Sequence, residues 1–132
     1  MPAENSPPPA IPILQQLLLG LSLVAYLFAL ILPAVQKNPP LLGFETLGMF
    51  FIPPWWANPL LLAAWICGFC QRPLLTLVFS VSALPLAAMA PFMLDSHWVG
   101  LGYVLWVLSI VLASLTGLSL LLQPQWHSRE QV

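Results

Sequence analysis

Four stretches of the chain are apolar almost without interruption, at 13–35, 55–71, 73–94 and 99–122, and prolines or short polar turns separate them. Runs that are apolar on every side read as membrane spans rather than as amphipathic surface helices. The first, Ile13 to Val35, would reach about 34 Å at 1.5 Å per residue, enough to cross a hydrocarbon core of about 30 Å with slight tilt. Pro33 and then Asn38-Pro39-Pro40 close it, because proline cannot continue a helix and restricts the residue before it. The third opens at Pro73 and carries Pro85, where a kink is expected; neighbouring helices can satisfy the carbonyl that such a kink frees. Asp95-Ser96-His97-Trp98 then turns the chain into the fourth.

The second run, WWANPLLLAAWICGFCQR, is the shortest. Asn58 suits a helix N-cap and Pro59 the first helical position. From Pro59 to Gln71 the helix would cover only about 20 Å, and counting from Trp55 brings it to about 27 Å. Trp55 and Trp56 are expected to anchor one interface, with Arg72 at the other, so the stretch reads as a short span. Trp98 is a third expected interface anchor. The connection to Pro73 is so short that helices two and three must be antiparallel neighbours. Residues 41–52, LLGFETLGMFFI, are too few to span and read as an interfacial helix lying flat, an aromatic-rich collar with Glu45 facing the headgroups. The expected fold is an all-α integral membrane four-helix bundle with that interfacial helix between helices one and two. Its domain covers 12–123, between a disordered tail at 1–11 and a polar tail at 124–132.

Small residues mark the expected packing faces. Thr76, Ser80, Ala83, Ala87 and Ala90 follow one another at spacings of four and three on the third helix. Gly102, Trp106, Ser109, Ala113 and Gly117 share a face of the fourth, and Ser22, Ala25 and Ala29 a face of the first. Hydrocarbon supplies no hydrophobic force between helices, so close backbone approach along such seams is what holds them together.

Composition narrows the class. Hydrophobic residues make up 60% and charged residues 5% of the 132, against about 25% charged in soluble domains. Only helices or closed barrels satisfy their own backbone in lipid, and continuous rather than alternating apolar runs exclude the barrel. A net charge of -1 offers no basic field for nucleic acid. The first run is longer than a signal-peptide core, and no Lys or Arg precedes it, so it is not expected to be removed. With four spans, Arg72 and Arg129 share the side of the N-terminus and Lys37 lies opposite, which places both termini in the cytoplasm. A three-span alternative, with a re-entrant second run, puts all three cations on one side and the N-terminus outside.

Candidate chemistry is sparse. Gln15 and Gln16 are expected to be solvated by headgroups, and His97 with Asp95 does not complete a metal site; His127 falls on the other side of the bilayer. No Gly-rich phosphate loop or chain of intramembrane carboxylates is present, and the chain is short for the repeats of a transporter. Gly43 and Gly48 after the first helix, then Trp56-Ala57-Asn58-Pro59-Leu60 and Gly102-Tyr103-Val104-Leu105-Trp106, resemble a group of small, uncharacterised bacterial inner-membrane proteins. That resemblance covers most of the chain and implies a bacterial inner-membrane location with no assigned activity. Cys67-Gly68-Phe69-Cys70-Gln71-Arg72 is locally similar to the DsbB-type thiol:quinone oxidoreductases, which are also four-helix membrane proteins. This second resemblance implies a redox pair at Cys67 and Cys70, with Arg72 lowering a thiol pKa and touching a quinone.

Those enzymes need a second cysteine pair and place the first on the oxidising side. Here there are two cysteines, expected on the reducing side and spaced i, i+3 on a helix, where sulfur atoms seldom meet. The expected role is therefore a non-catalytic structural or partner-binding membrane subunit, without cofactor or metal, packing against lipid, other membrane proteins or itself. Two alternatives stand beside it: a thiol/quinone redox protein using Cys67 and Cys70, and an oligomeric pore or immunity-type protein.

Overall fold

A computed structural model describes residues 13–36, 39–93 and 99–122. The two tails and Lys37, Asp95, His97, Trp98, His127 and Arg129 lie outside the described residues. The chain forms α1 (Ile13–Ile31), a strand pair β1 (Pro33–Val35) and β2 (Leu41–Leu42), and a single helical turn α2 (Gly43–Thr46). A 3-10 turn over Pro53–Trp56 then leads into α3 (Ala57–Phe69), followed by α4 (Pro73–Met93) and α5 (Leu101–Leu122). Three of these helices are long and apolar enough to cross a membrane: α1 with 19 residues, α4 with 21 and α5 with 22.

The helix expected to run to Val35 ends at Ile31. Pro33 is the cause: it has no N–H to give and pushes Leu32 out of the helical region. The freed chain pairs instead with Leu41–Leu42, Pro33 opposite Leu42 and Val35 opposite Leu41, across an irregular register. Gly43 N–H donates to Leu32 O at 3.1 Å and Gly100 N–H to Ala34 O at 2.9 Å, and Val35 bridges to Val99. The end of α1, the collar and the start of α5 are thus tied together by backbone bonds.

The interfacial helix expected over 41–52 is present only as the turn Gly43–Thr46, followed by further turns to Pro53. A twelve-residue run carrying two glycines nucleates a helix poorly, and the strand pair competes for its first residues. Glu45 is exposed and its Oε2 accepts the Leu42 N–H at 2.8 Å, capping the turn.

α3 begins earlier than the Asn58-Pro59 signal suggests. The 3-10 turn passes into Ala57 without a break, so Asn58 is already inside the helix and does not cap it. Pro59 costs nothing there, because the first N–H groups of a helix have no intrahelical acceptor. At its other end α3 closes with the paired backbone bonds of a Schellman motif, Arg72 N–H to Cys67 O at 2.8 Å and Gln71 N–H to Gly68 O at 3.1 Å. Gln71 takes the left-handed position at φ 53°, where glycine is usual. Thr76 then starts α4 by donating both its N–H and its Oγ1–H to Arg72 O.

α1 packs on α5, α5 on α4 and α4 on α3. The buried residues of α4 are Thr76, Ser80, Ala83, Ala87 and Ala90, and those of α5 include Gly102, Ser109, Ala113 and Gly117. α1 turns Leu19, Ser22, Ala25 and Ala29 inward together with Gln15, which is 1% exposed rather than solvated. Pro85 lies inside α4. Leucines, valines and phenylalanines cover the outer faces, as suits a surface in contact with hydrocarbon.

Backbone contact is closest where glycine allows it. A Cβ at Gly43 would overlap the Ala29 carbonyl, one at Gly100 the Pro33 carbonyl, and one at Gly117 would lie 2.7 Å from Leu77 N. A Cβ at Gly20 would meet nothing within 4 Å. Gly43→Ala is therefore expected to destabilise the protein by about 2 kcal/mol or more through overpacking, while Gly20→Ala is neutral or slightly stabilising. Unfolding midpoints of the two variants in the same detergent check this.

Candidate functional site

Among the described residues, side-chain hydrogen bonds that link different helices gather at two levels, while buried Thr76, Ser80 and Thr116 bond to nearby carbonyls and buried Gln15 Oε1 has no partner. At the first, Trp65 on α3 donates Nε1–H to Ser22 Oγ on α1 at 2.8 Å, and Ser22 Oγ–H donates to the Ser109 carbonyl on α5 at 2.7 Å. One hydroxyl thus links three helices. The Tyr26 ring stands edge-on to Trp65 with centroids 5.2 Å apart, which fills the gap between α1 and α3.

At the second level, Asn58 is the shared acceptor. Its Oδ1 takes the Tyr26 hydroxyl proton at 3.2 Å and the Trp106 Nε1–H at 3.0 Å, while its Nδ2 donates to Trp55 O at 3.1 Å. A side-chain carbonyl has two lone pairs, so both donors are served by one atom. Because Asn58 sits on the first turn of α3, its amide reaches α1 and α5 at once. Tyr103, stacked edge-on against Trp106 at 5.9 Å, donates its hydroxyl to the Ala87 carbonyl of α4 at 3.0 Å.

Above Asn58 lies a cavity of about 70 Å³. Its walls are Tyr26, Ala29 and Leu30 of α1, Ala34 and Val35 of β1, Gly102, Tyr103 and Trp106 of α5, Ala90 of α4, and the collar from Leu41 to Trp55. Among the described residues, no charged side chain lines it. Trp55, expected to anchor in the interface, turns inward and donates Nε1–H to Leu47 O at 2.6 Å, which closes the collar over the cavity. Trp56 stays 55% exposed beside it, its ring edge-on to Trp55. Phe44, Phe50 and Phe51 also point outward.

The remaining sequence candidates fall elsewhere. Ser80, Ala83, Ala87, Ser109, Ala113 and Gly117 are buried between α4 and its neighbours or along α5. Trp98 lies outside the described residues. Cys67 and Cys70 are unpaired thiols at the C-terminal end of α3, Cys67 half-buried and Cys70 exposed, with Arg72 exposed next to them. Cys67 lies nine helical steps from Asn58, about 14 Å at 1.5 Å per residue, so the thiols and the cavity occupy opposite ends of α3. Among the described residues, no three His, Cys, Asp or Glu side chains gather where a metal ion could be held.

Asn58, Tyr26 and Trp65 carry the site; the sequence offers Asn58 only as a helix cap and gives Tyr26 and Trp65 no role. Asn58 was read as a cap because Asn-Pro is so common at helix starts. The available signal was an amide in an apolar run, accompanied by aromatics with N–H or O–H groups on three other segments. Comparison with protein-family models, curated proteins and solved structures gives no match to this chain.

Removing the shared acceptor leaves the Tyr26 and Trp106 donors without their partner. Asn58→Leu is expected to cost about 1–2 kcal/mol, and less in a Tyr26→Phe background, where one donor is already gone. A double-mutant cycle on unfolding in detergent measures the coupling; strict additivity would contradict the shared-acceptor geometry.

Proposed function

We propose that the protein is a non-catalytic membrane subunit that crosses the bilayer four times and works by packing against other membrane proteins or against itself. In this reading the short crossing is α3 together with the 3-10 turn before it. Four residues at about 2.0 Å and thirteen at about 1.5 Å give about 27 Å, with Trp56 at one interface and Arg72 at the other. Both termini then share the side of Arg72, the cytoplasmic side of a bacterial inner membrane. The collar lies at the opposite face, its exposed Phe44, Phe50, Phe51 and Trp56 at headgroup level.

The observation that carries the reading is where the polar atoms go. Ser22, Tyr26, Asn58, Trp65, Tyr103 and Trp106 spend their hydrogen bonds on holding α1, α3, α4 and α5 together. Ser80, Ser114 and Thr116 spend theirs on carbonyls of their own helices. Groups committed in this way serve architecture, and the large apolar side chains left outside are what a lipid or a neighbouring membrane helix would meet.

Fusing a reporter active only in the cytoplasm to either end is expected to give signal from both fusions. Activity from one end alone would replace four crossings with three. Replacing Cys67 and Cys70 by Ala is expected to leave protein level and cellular phenotype unchanged; loss of thiol oxidation coupled to quinone at normal protein level would establish the redox alternative instead. Co-purification in mild detergent is expected to retain a membrane partner or a second copy of the chain.

A further inference from the structure

The cavity above Asn58 has an asymmetric hydrogen-bonding inventory. The donors of Tyr26, Thr46, Trp55, Tyr103 and Trp106 are all directed into the protein: to Asn58 Oδ1, Gly43 O, Leu47 O, Ala87 O and Asn58 Oδ1 again. What these groups still offer is acceptor capacity, since a hydroxyl that donates keeps its lone pairs. Asn58 Nδ2 has used one of its two protons, on Trp55 O. The cavity therefore presents hydroxyl oxygens of Tyr26, Tyr103 and Thr46 as acceptors and one amide N–H as a donor, in walls that are otherwise apolar.

That inventory selects among ligand chemistries. A phosphate or carboxylate needs several donors or a cation, and among the described residues no Lys, Arg or His lines the cavity. An ammonium needs a counter-charge, and Glu45 is not in the wall; it is exposed, with its carboxylate on the Leu42 N–H. A neutral hydroxyl is both donor and acceptor and matches what is left. The volume of about 70 Å³ accommodates about five water-sized groups, a hydroxyl and the first few carbons behind it. Any longer hydrocarbon would lie outside, in the bilayer that surrounds the apolar helices.

We propose that this cavity binds the hydroxyl end of a neutral lipid alcohol, whose single O–H donates to one of the hydroxyl oxygens of Tyr26, Tyr103 and Thr46 while Asn58 Nδ2 donates to its oxygen. The site depends on the protein residing in a membrane and on the packing of α1, α5 and the collar. It is independent of how many times the chain crosses and of whether a protein partner exists, so its failure leaves those readings standing.

The test uses the full chain in mild detergent, with 1,2-dioctanoylglycerol as probe and native mass spectrometry as readout. The expected result is saturable binding of one molecule per chain. The analogue with the same two chains and a methyl group in place of the hydroxymethyl is expected to bind about fivefold to tenfold more weakly, the worth of one neutral hydrogen bond. The corresponding phosphate ester is expected not to compete. Leu41→Trp, which projects bulk into the cavity from the collar, is expected to abolish binding while its melting temperature stays close to that of the parent; if that variant fails to fold, Ala34→Leu fills the same space from β1. Equal binding of the deoxy analogue, stronger binding of the phosphate ester, retention by a folded cavity-filled variant, or no binding by the parent chain each overturns the proposal. The comparison of alcohol with deoxy analogue decides the matter on the parent protein alone.

Discussion

Water cannot reach the inside of an apolar helix assembly, so every N–H and O–H placed there must find its partner within the chain. This constraint explains why Asn58 matters more than its position near the end of a short helix suggests. Tyr26 and Trp106 come from helices distant in sequence, and each brings one donor that the surrounding leucines cannot satisfy. A single amide oxygen accepts both, and its nitrogen ties back to the turn that leads into its own helix. The same logic repeats one level away, where Ser22 Oγ accepts from Trp65 and donates to the Ser109 carbonyl. Hydrogen bonds of this kind contribute only about 1 kcal/mol each in a membrane setting, but they are directional, and directionality is what dispersion packing lacks.

Packing and polarity divide the work by helix pair. Between α4 and α5, and at the end of α1, the contacts are of small residues and glycine against backbone, as with Gly117 on Leu77 and Gly102 on the carbonyls of Ala29 and Leu32. Between α1 and α3 the bridge is made by side chains, Trp65 to Ser22, the Tyr26 ring against Trp65, and Leu19 against Gly68. The cavity lies where the two kinds of contact meet, with Ala29 and Gly102 of the close seam and the rings of Tyr26, Tyr103 and Trp106 all in its wall.

The long helices were legible in the sequence because an unbroken apolar run has one reading in lipid, and the seam on α4 was legible because its small residues recur at three and four. The collar was not. Residues 41–52 read as a helix by hydrophobicity alone, yet Gly43 sits where any Cβ would strike Ala29, and that requirement depends on a contact with α1 that no local pattern announces. Gln15 departs from its local pattern for the same reason: its place in the first turn of α1 suggests solvation, while tertiary packing buries it. Asn58 shows the ambiguity most clearly. The dipeptide Asn-Pro is compatible both with a cap and with a first-turn amide aimed across the assembly, and only the positions of Tyr26 and Trp106 distinguish the two.

The cavity and the shortness of α3 have a common origin. α3 alone covers about 20 Å, some 10 Å less than a hydrocarbon core; in the proposed four-crossing arrangement the 3-10 turn adds about 8 Å, and the strand pair and α2 follow at headgroup level. Irregular backbone beside the hydrocarbon is tolerated only where it is covered by protein or borders a cavity, because its carbonyls and N–H groups do not pair as regularly as those of a helix. Here α1 and α5 cover it from one side, and bonds such as Trp55 Nε1–H to Leu47 O close it from within. Turns also pack less evenly than helices, and the space beneath them is what remains. A longer α3 would have filled that level with a regular turn of helix; the short one exchanges regularity for a space lined by the collar, α1 and α5.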